Sequence, residues 1–164
     1  MKLEIFKAPK HDKLILQRML ELHQHDISPF SNADLNVHGE FSYTYLDHYW
    51  VEDGRYPYLA KSAGKLVAFA LVNTHKYLPD SQYSMAEFFV MKRYRRQGIG
   101  QVLALHIFDQ HRGTWEVCQL PGHTGAVAFW KRIISDYTAG IFKEIVNGYG
   151  EWQGSILQFD NHEG

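Results

Sequence analysis

The sequence predicts one α/β domain, residues 1–164, in which helices flank a sheet, and three observations lead there. Apolar residues recur at helical spacing in three stretches, near 11–25, 98–111 and 123–135, while β-prone runs bounded by turn formers lie before, between and after them. The chain has 164 residues and 45% hydrophobic content, enough to bury a core without staples. It holds one cysteine, Cys118, so no intramolecular disulfide framework is available.

In order, Leu3 to Phe6 reads as a short edge strand closed by Pro9. Leu14, Ile15, Met19 and Leu22 predict an amphipathic helix from His11 to His25. It should stop before Ser28-Pro29, because the residue preceding proline avoids the helical region. Residues 31–54 mix aromatic and acidic side chains with turn formers and read as loop plus a short helix near Tyr45 to Trp50. Tyr58 to Lys61, the turn Ser62 to Lys65, and Leu66 to Asn73 form a hairpin pattern. Pro79-Asp80 marks a turn. Tyr83 to Met91 is a further strand, and a helix follows from Gly98 to about His111. Thr114 to Leu120 is β-prone up to Pro121-Gly122, and a third helix spans His123 or Thr124 to about Ser135. Strand candidates near Thr138 to Val146 and Ser155 to Phe159, with a turn at Asn147 to Gly150, complete the chain.

Formal net charge is −1, from 17 basic and 18 acidic side chains, so no global field draws the protein to nucleic acid or to an anionic membrane. The first residues alternate polar and apolar instead of forming a signal-peptide core, and no run of about 18 apolar residues occurs. With its single cysteine, the chain is expected to be cytoplasmic. Ten histidines include no i, i+4 pair with a carboxylate partner, so no metal is expected.

The segment Ala86-Glu87-Phe88-Phe89-Val90-Met91-Lys92-Arg93-Tyr94-Arg95-Arg96-Gln97-Gly98-Ile99-Gly100 carries the chemistry. A buried strand runs into a basic loop, and a helix opens at the glycines. Free backbone N–H groups and the positive end of a helix dipole then converge, which suits an anion with several phosphates. Glycine at 98 and 100 would let that anion approach the backbone.

Arg95-Arg96-Gln97-Gly98-Ile99-Gly100 resembles the Gln/Arg-x-x-Gly-x-Gly/Ala hallmark of the GNAT superfamily of acyl-CoA N-acyltransferases. Phe88-Phe89-Val90 is similar to the family's apolar triplet, and Ala126-Val127-Ala128-Phe129-Trp130 to its Ala-x-x-Phe-Tyr. Tyr49-Trp50, Arg55-x-Pro57 and Phe129-Trp130 also resemble a bacterial branch of predicted acetyltransferases. The resemblance implies a mixed, mostly antiparallel sheet of about six or seven strands with strands four and five splayed. It implies acetyl-CoA as cosubstrate, its pantetheine arm between Phe88 to Val90 and the Cys118 strand. Arg95, Arg96, Gln97, Gly98, Ile99 and Gly100 would hold its diphosphate, with Phe129 and Trp130 nearby. The implied reaction is transfer of an acetyl group to a primary amine of a small molecule or peptide; a non-catalytic acyl-CoA-binding module is the alternative.

An alkylammonium must lose a proton before it attacks a thioester. Glu87, just before the triplet, is the candidate base, directly or through water; otherwise it is a structural partner of a lysine or arginine on a neighbouring strand. An amide of Phe89 or Val90 would face the oxyanion. Trp130 stands where the family often has tyrosine, and its indole cannot protonate a thiolate. His123 stands where asparagine is frequent, so it either takes over a polar or acid role or simply starts the helix. Tyr137 and Tyr94 are weaker proton-donor candidates. Cys118 fits a buried core position better than a nucleophile. Tyr43, Tyr45, Asp47, His48, Tyr49, Trp50, Glu52 and Asp53 could hold a cationic acceptor, or else pack on the sheet or on a subunit partner in a homodimer.

Overall fold

The computed structural model describes residues 2–163. β1 (Leu3–Lys7) leads into α1 (Lys13–Ser31), and a 3₁₀ turn at Leu46–Trp50 precedes the hairpin β2 (Arg55–Ser62) and β3 (Lys65–Asn73). β4 (Tyr83–Val90), α2 (Ile99–Gln110), β5 (Thr114–Cys118), α3 (Thr124–Thr138), β6 (Lys143–Ile145) and β7 (Ile156–Asp160) follow. The strands form one seven-stranded sheet in the order β1-β2-β3-β4-β5-β7-β6. Neighbours are antiparallel except β4 and β5.

Alternation along the strands divides the core between the two sheet faces. On one face Leu59, Phe69, Leu71 and Phe89 meet Leu16 and Leu20 of α1. On the other, Ala68, Val72, Trp115 and Leu157 meet Leu103, Ile107 and Phe108 of α2 and Ile133 and Ile134 of α3.

β4 and β5 pair only at Tyr83↔Trp115 and Ser84↔Glu116. In β4, Glu87 lies opposite Leu71 and Met85 opposite Val72, so Ala86 is an extra residue. This β-bulge bends β4 away from its parallel neighbour, and the splay expected between strands four and five opens from there.

Two elements differ from expectation. α1 continues through Pro29 to Ser31 because neighbouring groups compensate for the proline. Proline has no N–H to offer the His25 carbonyl, and the Ser28 hydroxyl donates to that carbonyl instead, at 2.8 Å. The helix closes on Asn32, in the left-handed region at φ 59°, a conformation asparagine tolerates. The expected strand from Thr138 shrinks to Lys143–Ile145. Tyr137 packs on Phe108 and Phe159 and holds the last turn of α3 to the core. Ala139 and Gly140, both at positive φ, then break the chain direction.

His111, just after α2, is 6% exposed, with Nε2 2.6 Å from the Tyr58 hydroxyl. Burial pushes its pKa down from 6.5 to about 4. The folded state therefore binds fewer protons than the unfolded chain between those values. Its contribution to stability is complete above about pH 6.5 and is lost as pH falls towards 4, by on the order of 2 kcal/mol. Urea unfolding at pH 7 and pH 4 should show His111→Phe losing less stability over that interval than the wild type; equal losses would contradict the assignment.

Candidate active site

The bulge at Ala86 sets which way the following side chains point. Glu87 and Phe89 face α1, and Phe88 and Val90 face α2 and α3. Among the described residues Glu87 pairs with neither lysine nor arginine. Its Oε1 lies 3.1 Å from His23 Nε2, and its Oε2 accepts from the Tyr43 hydroxyl at 3.3 Å. His23 is buried on α1, edge-on to Phe69 and Phe89, each 5.8 Å away between centroids. Burial first, and the Glu87 charge second, push the Tyr43 phenol well above its ordinary value, so it stays a hydrogen-bond donor.

The Met91 amide donates to Val67 at 2.9 Å. By the alternation of an antiparallel ladder, the backbone groups of Phe89 then face β3 and those of Phe88 and Val90 face the gap beside β5. Of the two amides expected at an oxyanion, Val90 faces the opening and Phe89 does not. The Val90 carbonyl accepts from Arg95 Nε at 2.7 Å, which leaves the Phe88 groups and the Val90 amide free of the ladder.

Below the gap, the chain turns through Arg96 at φ 62° and Gly98 at φ 82° into α2. Among the described residues no side chain caps the helix, and its first intrahelical bond runs from the Val102 amide to the Gly98 carbonyl at 3.1 Å. The amides of Ile99, Gly100 and Gln101 therefore have no acceptor within the helix. The two glycines serve different ends: a Cβ on Gly98 would meet open space, whereas one on Gly100 would lie 2.8 Å from Phe129 Cζ. Gly100 is small so that α3 can pack.

The basic residues also divide. Arg95 is spent on structure, its guanidinium on Asp26 of α1 at 2.5 Å, and Lys92 reaches the same carboxylate at 3.4 Å. Gln97 donates to the Arg93 carbonyl at 3.2 Å. Among the described residues Arg93 and Arg96 have no ion-pair partner.

His123 starts α3: its Nδ1 accepts from the Ala126 amide at 3.3 Å, and its ring stacks on Phe30 at 4.1 Å. Burial, followed by the positive fields of His23 and Arg95, pushes its pKa down. Trp130 is buried and packs on Phe88 and Phe129. Burial and then the Glu116 charge push the Cys118 thiol well up, which suppresses the nucleophilic thiolate. Tyr137 is taken up by Asp109 and Asn161, away from Glu87.

A cleft of about 850 Å³ brings Glu87, His23, Tyr43, Phe88, Cys118, His123 and Trp130 together. Of the acceptor candidates, Tyr43 and Tyr45 line it; Asp47, His48, Tyr49, Trp50, Glu52 and Asp53 are not among its lining residues. Asp47 pairs with Lys13, Trp50 donates to the Ala8 carbonyl, and Tyr49 lies under Arg55. His23, Asp26, Arg55 and Lys76 were not apparent from sequence. For the first two a signal exists, since positions three apart share a helix face.

A model of the acetyltransferase (GNAT) family matches residues 17–134. No curated protein matches the chain. Among solved structures the fold is similar to a histone acetyltransferase HPA2-related protein from Corynebacterium glutamicum, with TM-score 0.73, 13% identity, and coverage of 98% of this chain and 97% of that one. It is also similar to the ribosomal-protein-S18-alanine N-acetyltransferase of Escherichia coli, with TM-score 0.63, 16% identity and coverage of 99% and 96%. A third is yncA of Salmonella typhimurium, solved with its cofactor acetyl-CoA, with TM-score 0.65, 12% identity and coverage of 99% and 95%. With a splayed β4–β5 pair, an uncapped glycine turn at the start of α2 and a family model covering most of its length, the chain belongs to the acetyltransferase (GNAT) family.

Proposed function

We propose that the protein is an N-acetyltransferase that moves the acetyl group of acetyl-CoA directly to a primary amine. The observation that carries this reading is the position of Glu87, which lines the cleft at the mouth of the β4–β5 gap, held between His23 and Tyr43. The chain suits coenzyme A where it would have to lie. The Phe88 and Val90 backbone groups offer an added strand's hydrogen bonds to an amide-bearing arm. The amides that open α2, with Arg93 and Arg96, offer an anion site. Acetyl-CoA would supply an activated acyl thioester.

The residues of the chain then do three things. Glu87 takes the proton from the ammonium, directly or through water, and the bonds from His23 and Tyr43 fix its two oxygens. The Val90 amide is the donor facing the position of the acyl oxygen. The apolar wall of Phe88 and Trp130 excludes water around the thioester.

Thiol release across a panel of amines tests the reading. Amine-dependent release supports it, whereas coenzyme A binding with no amine-stimulated release would favour the non-catalytic acyl-CoA-binding module. His123 and Trp130 are the departures behind that alternative: His123 caps α3 and Trp130 is packed on Phe88 and Phe129. If transfer is direct, Cys118→Ala should leave kcat within about threefold of wild type, and initial-rate patterns should be sequential. Parallel, ping-pong patterns lost in Cys118→Ala would overturn direct transfer.

A further inference from the structure

We infer that the acceptor is an amine that also carries a carboxylate, of amino-acid size, and that Arg55 and Lys76 form the subsite for its carboxylate. The inference rests on Glu87 marking the amine end of the cleft.

Arg55 lies opposite Asn73, and Asn73 opposite Ser84, so the three form one row across β2, β3 and β4. Leu71 and Glu87 form the next row on the same face. Two strand spacings of about 4.8 Å and a two-residue step of about 7 Å put the Cα atoms of Arg55 and Glu87 roughly 12 Å apart. Both side chains line the cleft between them, so the span left for a ligand is shorter and suits a small zwitterion.

The cationic end is preorganised. The Arg55 side chain is 8% exposed. Glu52 accepts from its Nε at 2.8 Å, its Nη2 lies 2.9 Å from His75 Nε2, and the Tyr45 and Tyr49 rings lie 5.8 and 5.3 Å away. Glu52 occupies the Nε edge alone and is itself about half exposed. The remaining Nη donors are what a carboxylate would meet, in a fork geometry that matches it. Lys76 follows directly after His75 and has no ion-pair partner among the described residues. Its loop is anchored by Glu116, fully buried, which accepts from the amides of Tyr77 and Leu78 at 2.8 and 3.0 Å. Among the described residues Glu87 and Glu151 are the carboxylates lining the cleft, and Glu151 lies on the Tyr77 side, near Lys76. The cleft thus has Glu87 at one end, while at the other Arg55, held by Glu52, and Lys76 stand with Glu151 nearby.

The test compares amino acids with their decarboxylated partners: methionine with 3-(methylthio)propylamine, phenylalanine with 2-phenylethylamine, and lysine with 1,5-diaminopentane. Binding is followed by ligand-observed NMR and turnover by thiol release, in wild type, Arg55→Gln and Lys76→Ala. At least one acid should bind about tenfold tighter than its partner, and each variant should cut that preference severalfold while leaving coenzyme A affinity unchanged. Acids that bind no better than their partners, or not at all, overturn the subsite, as does a preference that survives in both variants. Acids that bind without turnover leave the subsite standing and remove the acetyltransferase reading. Turnover of the decarboxylated amines alone does the reverse.

Discussion

Glu87→Gln is expected to lower kcat/KM for the amine by about 10²–10⁴-fold, the range a positioned general base contributes. Glutamine matches glutamate in size and can still accept from Tyr43, so the thermal midpoint should shift little. Thiol release at saturating acetyl-CoA measures the loss, and a melting curve the midpoint. An unchanged kcat/KM would mean that another group, or bulk water, accepts the proton.

Replacing Gly98 with valine should weaken coenzyme A binding by at least about 100-fold without unfolding the chain. At φ 82° the left-handed backbone costs a residue with a Cβ about 1–2 kcal/mol, more when it is β-branched. The new side chain would also fill the open space beside the amides that start α2. Gly98→Ala should show a smaller loss, and calorimetric titration with coenzyme A would rank the two. Gly100→Ala is the contrasting control, because its Cβ would press on the Phe129 ring and should lower the melting temperature. Unaltered affinity in Gly98→Val would separate this turn from phosphate binding.

The elements with strong local periodicity were legible before the structure. The β2–β3 hairpin, β4, α2 and α3 all lie close to where apolar spacing and turn residues put them. The misses came from compensation across sequence distance. Ser28 makes α1 tolerate Pro29 through a bond that the proline rule does not include. Tyr137 carries α3 onward through contacts with Phe108 and Phe159. The same holds for the site. Glu87 stood out as a charge in an apolar strand, but its partners His23 and Tyr43 are 64 and 44 positions away. Arg95 reads as a phosphate ligand, and its guanidinium also reaches Asp26, 69 positions away. Nothing in local spacing announces such pairs.

His23 and Asp26 sit less than one turn apart on α1, one holding Glu87 and the other holding Arg95 at the root of the glycine turn. A rod of that stiffness cannot tilt at one residue and stay still at the other. Acceptor and acetyl-CoA should consequently be coupled, each changing the other's dissociation constant by the same factor. Mutations on either side of the cleft would then register in the Michaelis constants of both substrates.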